Sequence, residues 1–239
     1  MGPPQAVLLD AGGVLTLPAP AVVGHALDAA GIPHDVLRLE VAHYHGVAAL
    51  DASSPGGWGR RAPEAYVSGW LDGLRVPVDH HHAGRRALHE VLSGPSMRVW
   101  SAVTPWARTG LTALAGTGLP LAVVSNSDGS VADQLRALGL CQVGPGPGTP
   151  VAAIVDSAVV GVAKPDPAVF APALDTLGLP PDACWYVGDT VTYDVAGARS
   201  AGLVPVHLDP FSACGAADHR HVADLLEVVA QLERAAHDA

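Results

Sequence analysis

The sequence predicts an α/β fold: a Rossmann-like parallel sheet core with an all-helical segment inserted near its start. Three observations carry that prediction. From about residue 100 onward, short β-branched apolar runs alternate with helical stretches, the pattern of βαβ units whose sheet is covered on both faces. The run "AVLLD" at residues 6–10 has the same character and reads as one more strand of that sheet. Between about Leu17 and Arg98 there is no comparable run. With 239 residues, 49% of them hydrophobic and only 15% charged, the chain can bury a sizeable core.

The strands expected after "AVLLD" are "LPLAVVS" (119–125), "VAAIVDS" (151–157), "ACWYVGD" (183–189) and "LVPVHLD" (203–209). Helices between them have legible ends. Thr104-Pro105 has the form of an N-cap followed by a first-turn proline. "VADQLRALG", "PAVFAPALDTLG" and "DVAGARSAG" end at Gly139, Gly178 and Gly202, each a natural left-handed C-cap. "VGPGPGTP" (143–150) reads as a surface connection without chemistry. In the insert, "AVVGHALDAAG", "DVLRLEVAHYHGVAAL", "APEAYVSGWLDGL" and "AGRRALHEVLSG" read as amphipathic helices, broken by "DASSPGGWG" and "RVPVDHHH". The expected division is a core of residues 1–17 and 99–239 around a helical domain of 18–98.

A formal charge of −10 argues against nucleic-acid or anionic-membrane partners. No secretory signal is visible at the start, no apolar run reaches the ~18 residues of a membrane span, and "MGPPQA" has Ala6 where a myristoylation signal wants Ser or Thr. Cys141, Cys184 and Cys214 are odd in number and lack metal-site spacing; they read as small core residues in a reducing compartment. A cytoplasmic protein is the expectation, and nothing in the sequence speaks to oligomeric state. Trp58, Trp70, Trp100 and Trp106 read as core residues.

Ligands of an open parallel sheet bind beyond the carboxyl ends of its strands. Three expected strand ends here carry polar residues: Asp10, then Ser125 with Asn126, then Asp189 with Asp194 five residues on. "KPDPAVF" adds Lys164 on a loop before a helix. Each alone reads as turn or cap chemistry, but together they gather carboxylates, a hydroxyl and a cation on one edge. Carboxylates with open coordination positions suit Mg²⁺, which takes oxygen ligands and keeps waters. A hydroxyl and an ammonium suit a phosphoryl group, and a carboxylate can attack phosphorus. Lys164 is the only lysine among 13 cationic residues, which suggests a need for a compact ammonium at that point.

"LLDAGGVLT", "VVSNS", "KPDPAVF" and "GDTVTYD" resemble, in order and spacing, the four motifs of the haloacid dehalogenase (HAD) superfamily, and the early helical insert resembles that superfamily's C1 cap. The resemblance implies a hydrolase in which Asp10 is the nucleophile that forms an aspartyl intermediate. It implies that Ser125, Asn126 and Lys164 hold the substrate phosphate. Asp10, the backbone carbonyl of Gly12 and Asp189 would bind Mg²⁺, with Asp194 as a ligand or a supporting carboxylate. The cap would close over the site and exclude water.

Phosphatases of the superfamily usually carry a second aspartate two residues after the nucleophile, which handles the leaving-group proton and then activates water. Gly12 occupies that position. A general acid/base is worth roughly 10²–10⁴-fold in rate, so its absence weakens hydrolysis and leaves nucleophile, clamp and metal ligands in place. Phosphonoacetaldehyde hydrolases use a cap lysine, and this chain has none outside "KPDP". The 2-haloacid dehalogenases have an aromatic residue at the Gly12 position and need no Mg²⁺. Two readings stay open: a Mg²⁺-dependent phosphatase of a small soluble phosphate ester, or a phospho-ligand or partner-binding module without turnover. His25, His43, His45 and His80-His81-His82 lie in the insert, where a histidine could substitute as acid/base near pH 7. Most of the 12 histidines are expected to be solvated or packed.

Overall fold

The structure is a computed structural model that describes residues 3–53 and 63–237. It separates into two compact units, Met1–Leu15 with Val103–Ala239, and Thr16–Ala102. Trp58 and most of "DASSPGGWG" lie outside the described residues.

The first unit is built on a six-stranded sheet, with β1 (Ala6–Leu9), β2 (Leu121–Ser125), β3 (Ala153–Asp156), β4 (Cys184–Gly188), β5 (Val204–Leu208) and β6 (Arg220–Val222). Its order is β6-β5-β4-β1-β2-β3, and the pairings are parallel. Every residue of β1, β2 and β4 is buried, because parallel strands carry helices on both faces and leave no wet side for alternation to mark. On one face Leu8, Val124, Phe170, Tyr186 and Leu203 form a single apolar cluster. Helices Ala107–Gly116 and Leu225–His237 also pack on one another.

Chain order decides where a ligand can sit. The chain runs from β1 outward through β2 to β3, then returns to the other side of β1 for β4, β5 and β6. The direction therefore switches between β1 and β4, and sheets of this kind bind ligands beyond the carboxyl ends of the strands at that point.

Several local expectations are corrected. Thr104 does not cap the following helix with its side chain: its hydroxyl donates to the Val14 carbonyl at 3.0 Å, and the helix begins at Ala107. A buried backbone carbonyl across the fold is the stronger claim on that hydroxyl. The "VGPGPGTP" segment is not wholly loop, since Cys141–Val143 and Thr149–Val151 pair around it. Gln142 bridges the turn, accepting from the Gly148 amide at 2.9 Å and donating to the Gly148 carbonyl at 3.0 Å. "RVPVDHHH" does not break the helix at its last residues, since Val78–His80 is a 3₁₀ turn that runs into a helix over His81–Leu92. Cys141 and Cys184 are buried as expected, whereas Cys214 is only half-buried in a loop.

The second unit is helical over Pro20–Ala29, Leu39–Ala52, Glu64–Gly73 and His81–Leu92. The second and third of these meet backbone to backbone, and glycine permits it: a Cβ on Gly69 would strike the His45 carbonyl, Ala49 and Gly46. Trp70, Tyr66, Leu27 and Leu88 fill the unit's interior. His43 lies buried with Nδ1 2.8 Å from the Tyr66 hydroxyl, His45 Nε2 is 3.0 Å from Arg38, and His81 Nε2 is 2.9 Å from the Val76 carbonyl. Among the described residues no helix is long and apolar enough to cross a membrane.

Candidate active site

Asp10 leaves the end of β1, its amide held by the Val187 carbonyl of β4 at 2.8 Å. The parallel register pairs Leu9 with Val187, so the residues just past the two strand ends, Asp10 and Asp189, come together. Asp10 Oδ1 accepts the Ala11 amide at 2.7 Å, and Oδ2 lies 2.9 Å from Lys164 Nζ. Lys164 Nζ also lies 2.7 Å from Asp194 Oδ1 and donates to the Tyr186 hydroxyl at 2.8 Å. Carboxylate oxygens of Asp10, Asp189 and Asp194 stand within 4.8 Å of one another.

Asp194 is held from several directions. A π-helical turn, Val191–Val195, follows Asp189 and Thr190. It brings Asp194 back so that Oδ2 accepts the Thr190 amide at 3.0 Å and the Thr190 hydroxyl at 2.7 Å. Oδ1 faces Lys164 and the Tyr186 hydroxyl. Gly188 makes this return possible, because a Cβ there would collide with the Asp194 carboxyl group. Both oxygens of Asp194 are thus committed to the protein, and its geometry is that of a carboxylate positioning Lys164.

Asn126 is committed as well. Its Oδ1 accepts the Lys164 amide at 2.8 Å, and its Nδ2 donates to the Lys164 carbonyl at 3.1 Å. It anchors the backbone from which the ammonium projects. Ser125, next to it at the end of β2, is buried. Beyond Ser125 the chain is shaped by Asp156 at the end of β3, whose carboxylate accepts the amides of Gly129 and Ala158 at 3.0 Å and Val131 at 3.2 Å. Gly12 is partly exposed and, unlike Gly13 with φ 70°, is not among the residues with positive φ.

Charge at the site is unbalanced, with three buried carboxylates and one ammonium. Burial, the largest influence, pushes Asp10 up to about 7; Lys164 pulls it down, and Asp194 and Asp189 push it further up. Burial opposes ionisation of Asp194 too, yet Lys164 and Thr190 hold it below the ordinary carboxylate value. Lys164 is disfavoured by burial and kept above the ordinary lysine value by Asp10 and Asp194. Burial, then Asp194, push Tyr186 well up. Lys164 thus favours the ionised form of both Asp194 and Asp10, and Asp10 nonetheless stays above its ordinary value. An excess of buried oxygen anions is what a hard divalent cation relieves, so the donor set fits such a cation.

Sequence reasoning missed Tyr186, Thr190 and Asp156. Thr190 had a local signal, since a threonine four residues before an aspartate can both cap and bind it. Asp156 stood at a strand end like the residues that were singled out. Tyr186 had none, because its role depends on the fold bringing Lys164 and the Val124 carbonyl of β2 to its hydroxyl.

The sequence pattern of the family described as haloacid dehalogenase-like hydrolase matches residues 4–202. A phosphoglycolate phosphatase from Rhodospirillum rubrum is 31% identical over 204 residues, 85% of this chain and 78% of that protein. A HAD family hydrolase from Deinococcus radiodurans R1, whose crystal structure holds phosphate and sodium, superposes with a TM-score of 0.59 at 23% identity over 98% of this chain and 97% of that one. A 2-haloacid dehalogenase from Pseudomonas syringae pv. Tomato DC3000 superposes with a TM-score of 0.55 at 22% identity, over 96% and 98%. At those identities the two structures speak for the fold alone.

Proposed function

The chain belongs to the haloacid dehalogenase-like hydrolases, and we propose that it is a Mg²⁺-dependent phosphatase of a small soluble phosphate ester. The observation that carries this reading is the ion pair between Lys164 Nζ and Asp10 Oδ2 beside two further buried carboxylates. It sits at the sheet's switch point, and phosphatases are among the chain's relatives.

In this reading Asp10 attacks phosphorus in line with the ester oxygen. One carboxylate O–P bond forms, the ester P–O bond breaks and the alcohol leaves after taking a proton from solvent, and water then opens the aspartyl-phosphate to release phosphate and restore Asp10. Lys164, kept protonated by its two carboxylates, neutralises charge on the phosphoryl oxygens, with the buried Ser125 hydroxyl as a second donor. Asn126 and Asp194 act through Lys164 by fixing its backbone and its ammonium. Asp10, the Gly12 carbonyl and Asp189 would hold Mg²⁺, which when bound supplies positive charge against the developing phosphoryl anion. Neither Lys164 nor Tyr186 serves as base toward water, since both hold their protons. The free cysteines accord with a cytoplasmic setting.

The test is phosphate release from a broad panel of phosphorylated metabolites, with and without Mg²⁺, by the native chain and Asp10→Asn. Turnover that needs both the metal and Asp10 supports the reading. Gly12 favours a second one, a phospho-ligand-binding module without turnover, and a folded native chain that binds phosphate but releases none from any ester would favour it instead.

A further inference from the structure

A second group of metal-ligating side chains, distinct from the three carboxylates, stands at β5 and β6. His207 is on β5, Cys214 is in the loop that follows, His219 precedes β6 and His221 is within it. Taking one ligand atom from each, all four lie within 4.8 Å of one another. We propose that His207, Cys214, His219 and His221 form a closed tetrahedral site for Zn²⁺, made of three imidazole nitrogens and one thiolate.

Hydrogen bonds select the atom each ring offers. His207 Nε2 donates to the Asp189 carbonyl at 3.0 Å, which leaves its Nδ1 as the lone pair. His219 Nδ1 donates to Asp218 Oδ1 at 2.8 Å, which leaves Nε2. His221 Nε2 donates to the Ala216 carbonyl at 2.9 Å, which leaves Nδ1. Metal-bound histidines characteristically have such an outer carbonyl or carboxylate partner, which fixes tautomer and ring orientation.

The consequence is a juxtaposition that needs a cation. His207 Nδ1 and His219 Nε2, both lone pairs in these tautomers, face each other at 3.2 Å. Lone pairs at that distance repel unless a proton or a metal lies between them. The spacings suit zinc: with Zn–N of about 2.0–2.1 Å and Zn–S of about 2.3 Å, a tetrahedron has edges of about 3.3 Å between nitrogens and about 3.6 Å between nitrogen and sulfur. The chain holds 3.2 Å between the two histidines and 3.8 Å between Cys214 Sγ and His219 Nε2.

The scaffold is built for it. His207 and His221 are register partners on adjacent strands, so their side chains stand on one face of the sheet. The three ring centroids lie 4.4–5.2 Å apart, and the His219 side chain is fully buried. Asp209 organises the loop by accepting the Ala213 and Cys214 amides at 2.9 and 2.8 Å. Four protein ligands with a thiolate make a structural site, and the soft donor separates it from the all-oxygen carboxylate site, which favours hard cations. On binding, Cys214 loses its thiol proton and the sulfur forms the Zn–S bond. The site pins the 209–219 segment to the edge of the sheet.

The experiment strips the full chain with chelator and titrates it with Co²⁺ alone, a spectroscopic stand-in for Zn²⁺. The expected result is about one equivalent bound with an intense tetrahedral visible spectrum and a thiolate-to-metal charge-transfer band. Zn²⁺ should bleach both at one equivalent. Cys214→Ser should lose the charge-transfer band, while Asp10→Asn and a His80→Ala/His82→Ala variant retain it. Independently of any variant, Zn²⁺ should slow modification of Cys214 by a thiol reagent at least tenfold in the native chain, with the labelled peptide identified by mass. A native chain without the band, a band that survives in Cys214→Ser, or an unchanged Cys214 reaction rate would overturn the site.

Discussion

Lys164 Nζ lies 2.9 Å from Asp10 Oδ2 with both side chains nearly inaccessible to water, 2% and 11% exposed. Breaking a buried pair by removing one partner leaves an uncompensated charge and costs about 3–5 kcal/mol. Lys164→Met strands the carboxylates of Asp10 and Asp194, so we expect a melting temperature lowered by at least ~6 °C, at roughly 2–4 °C per kcal/mol for a chain of this size. Phosphate release should fall at least 10²-fold. Calorimetry with a malachite-green assay reads both; a variant as stable as the native chain would sink the charge argument.

The complementary change goes the other way. In the fold Asp10 sits at about 7, above its ordinary value of 3.8. The folded chain therefore holds a proton that the unfolded chain releases in that window. The group's contribution to stability is present below pH 3.8 and is lost as pH rises to about 7. Asp10→Asn removes the ionisation, so at pH 8 without metal the variant should melt higher than the native chain while having no turnover. At pH 4 the difference should largely vanish.

Metal should act on the same charge. At pH 8 all three carboxylates favour a cation, whereas at pH 5 Asp10 is mostly protonated. Adding millimolar Mg²⁺ should raise the melting temperature of the native chain more at pH 8 than at pH 5, with the difference abolished in Asp10→Asn. Equal shifts at both pH values would detach the metal from Asp10.

Gly188→Ala tests the close approach that positions Asp194. The added methyl meets the Asp194 carboxyl group, so either β4 or the π-helical turn must move and the grip on Lys164 loosens. We expect a loss of at least about 10-fold in phosphate release, together with destabilisation of about 1–3 kcal/mol from overpacking. Full activity at native stability would show that the turn tolerates displacement.

Gly12→Asp restores a carboxylate where the family's phosphatases usually carry an acid/base. Gly12 is not among the positive-φ residues, so a side chain faces no left-handed backbone penalty there. A gain of roughly 10²–10⁴ in the rate of phosphate release is expected if proton handling is all the site lacks. No gain would mean that another group already moves the proton or that the rest of the site does not support turnover.

The sequence by itself determined the α/β class, the helical insert and the strand-end positions of Asp10, Ser125 and Asp189, because apolar runs and strand-to-loop boundaries are local properties written along the chain. It also marked Lys164, through its being the only lysine. Only the tertiary structure decided that Thr104 serves Val14, that Asn126 serves the Lys164 backbone, and that Tyr186 meets Lys164 and the Val124 carbonyl. It alone brought His207 and Cys214 to His219 and His221. These are pairings between segments set side by side by strand order and register. Spacing along the chain carries no trace of which strand becomes whose neighbour.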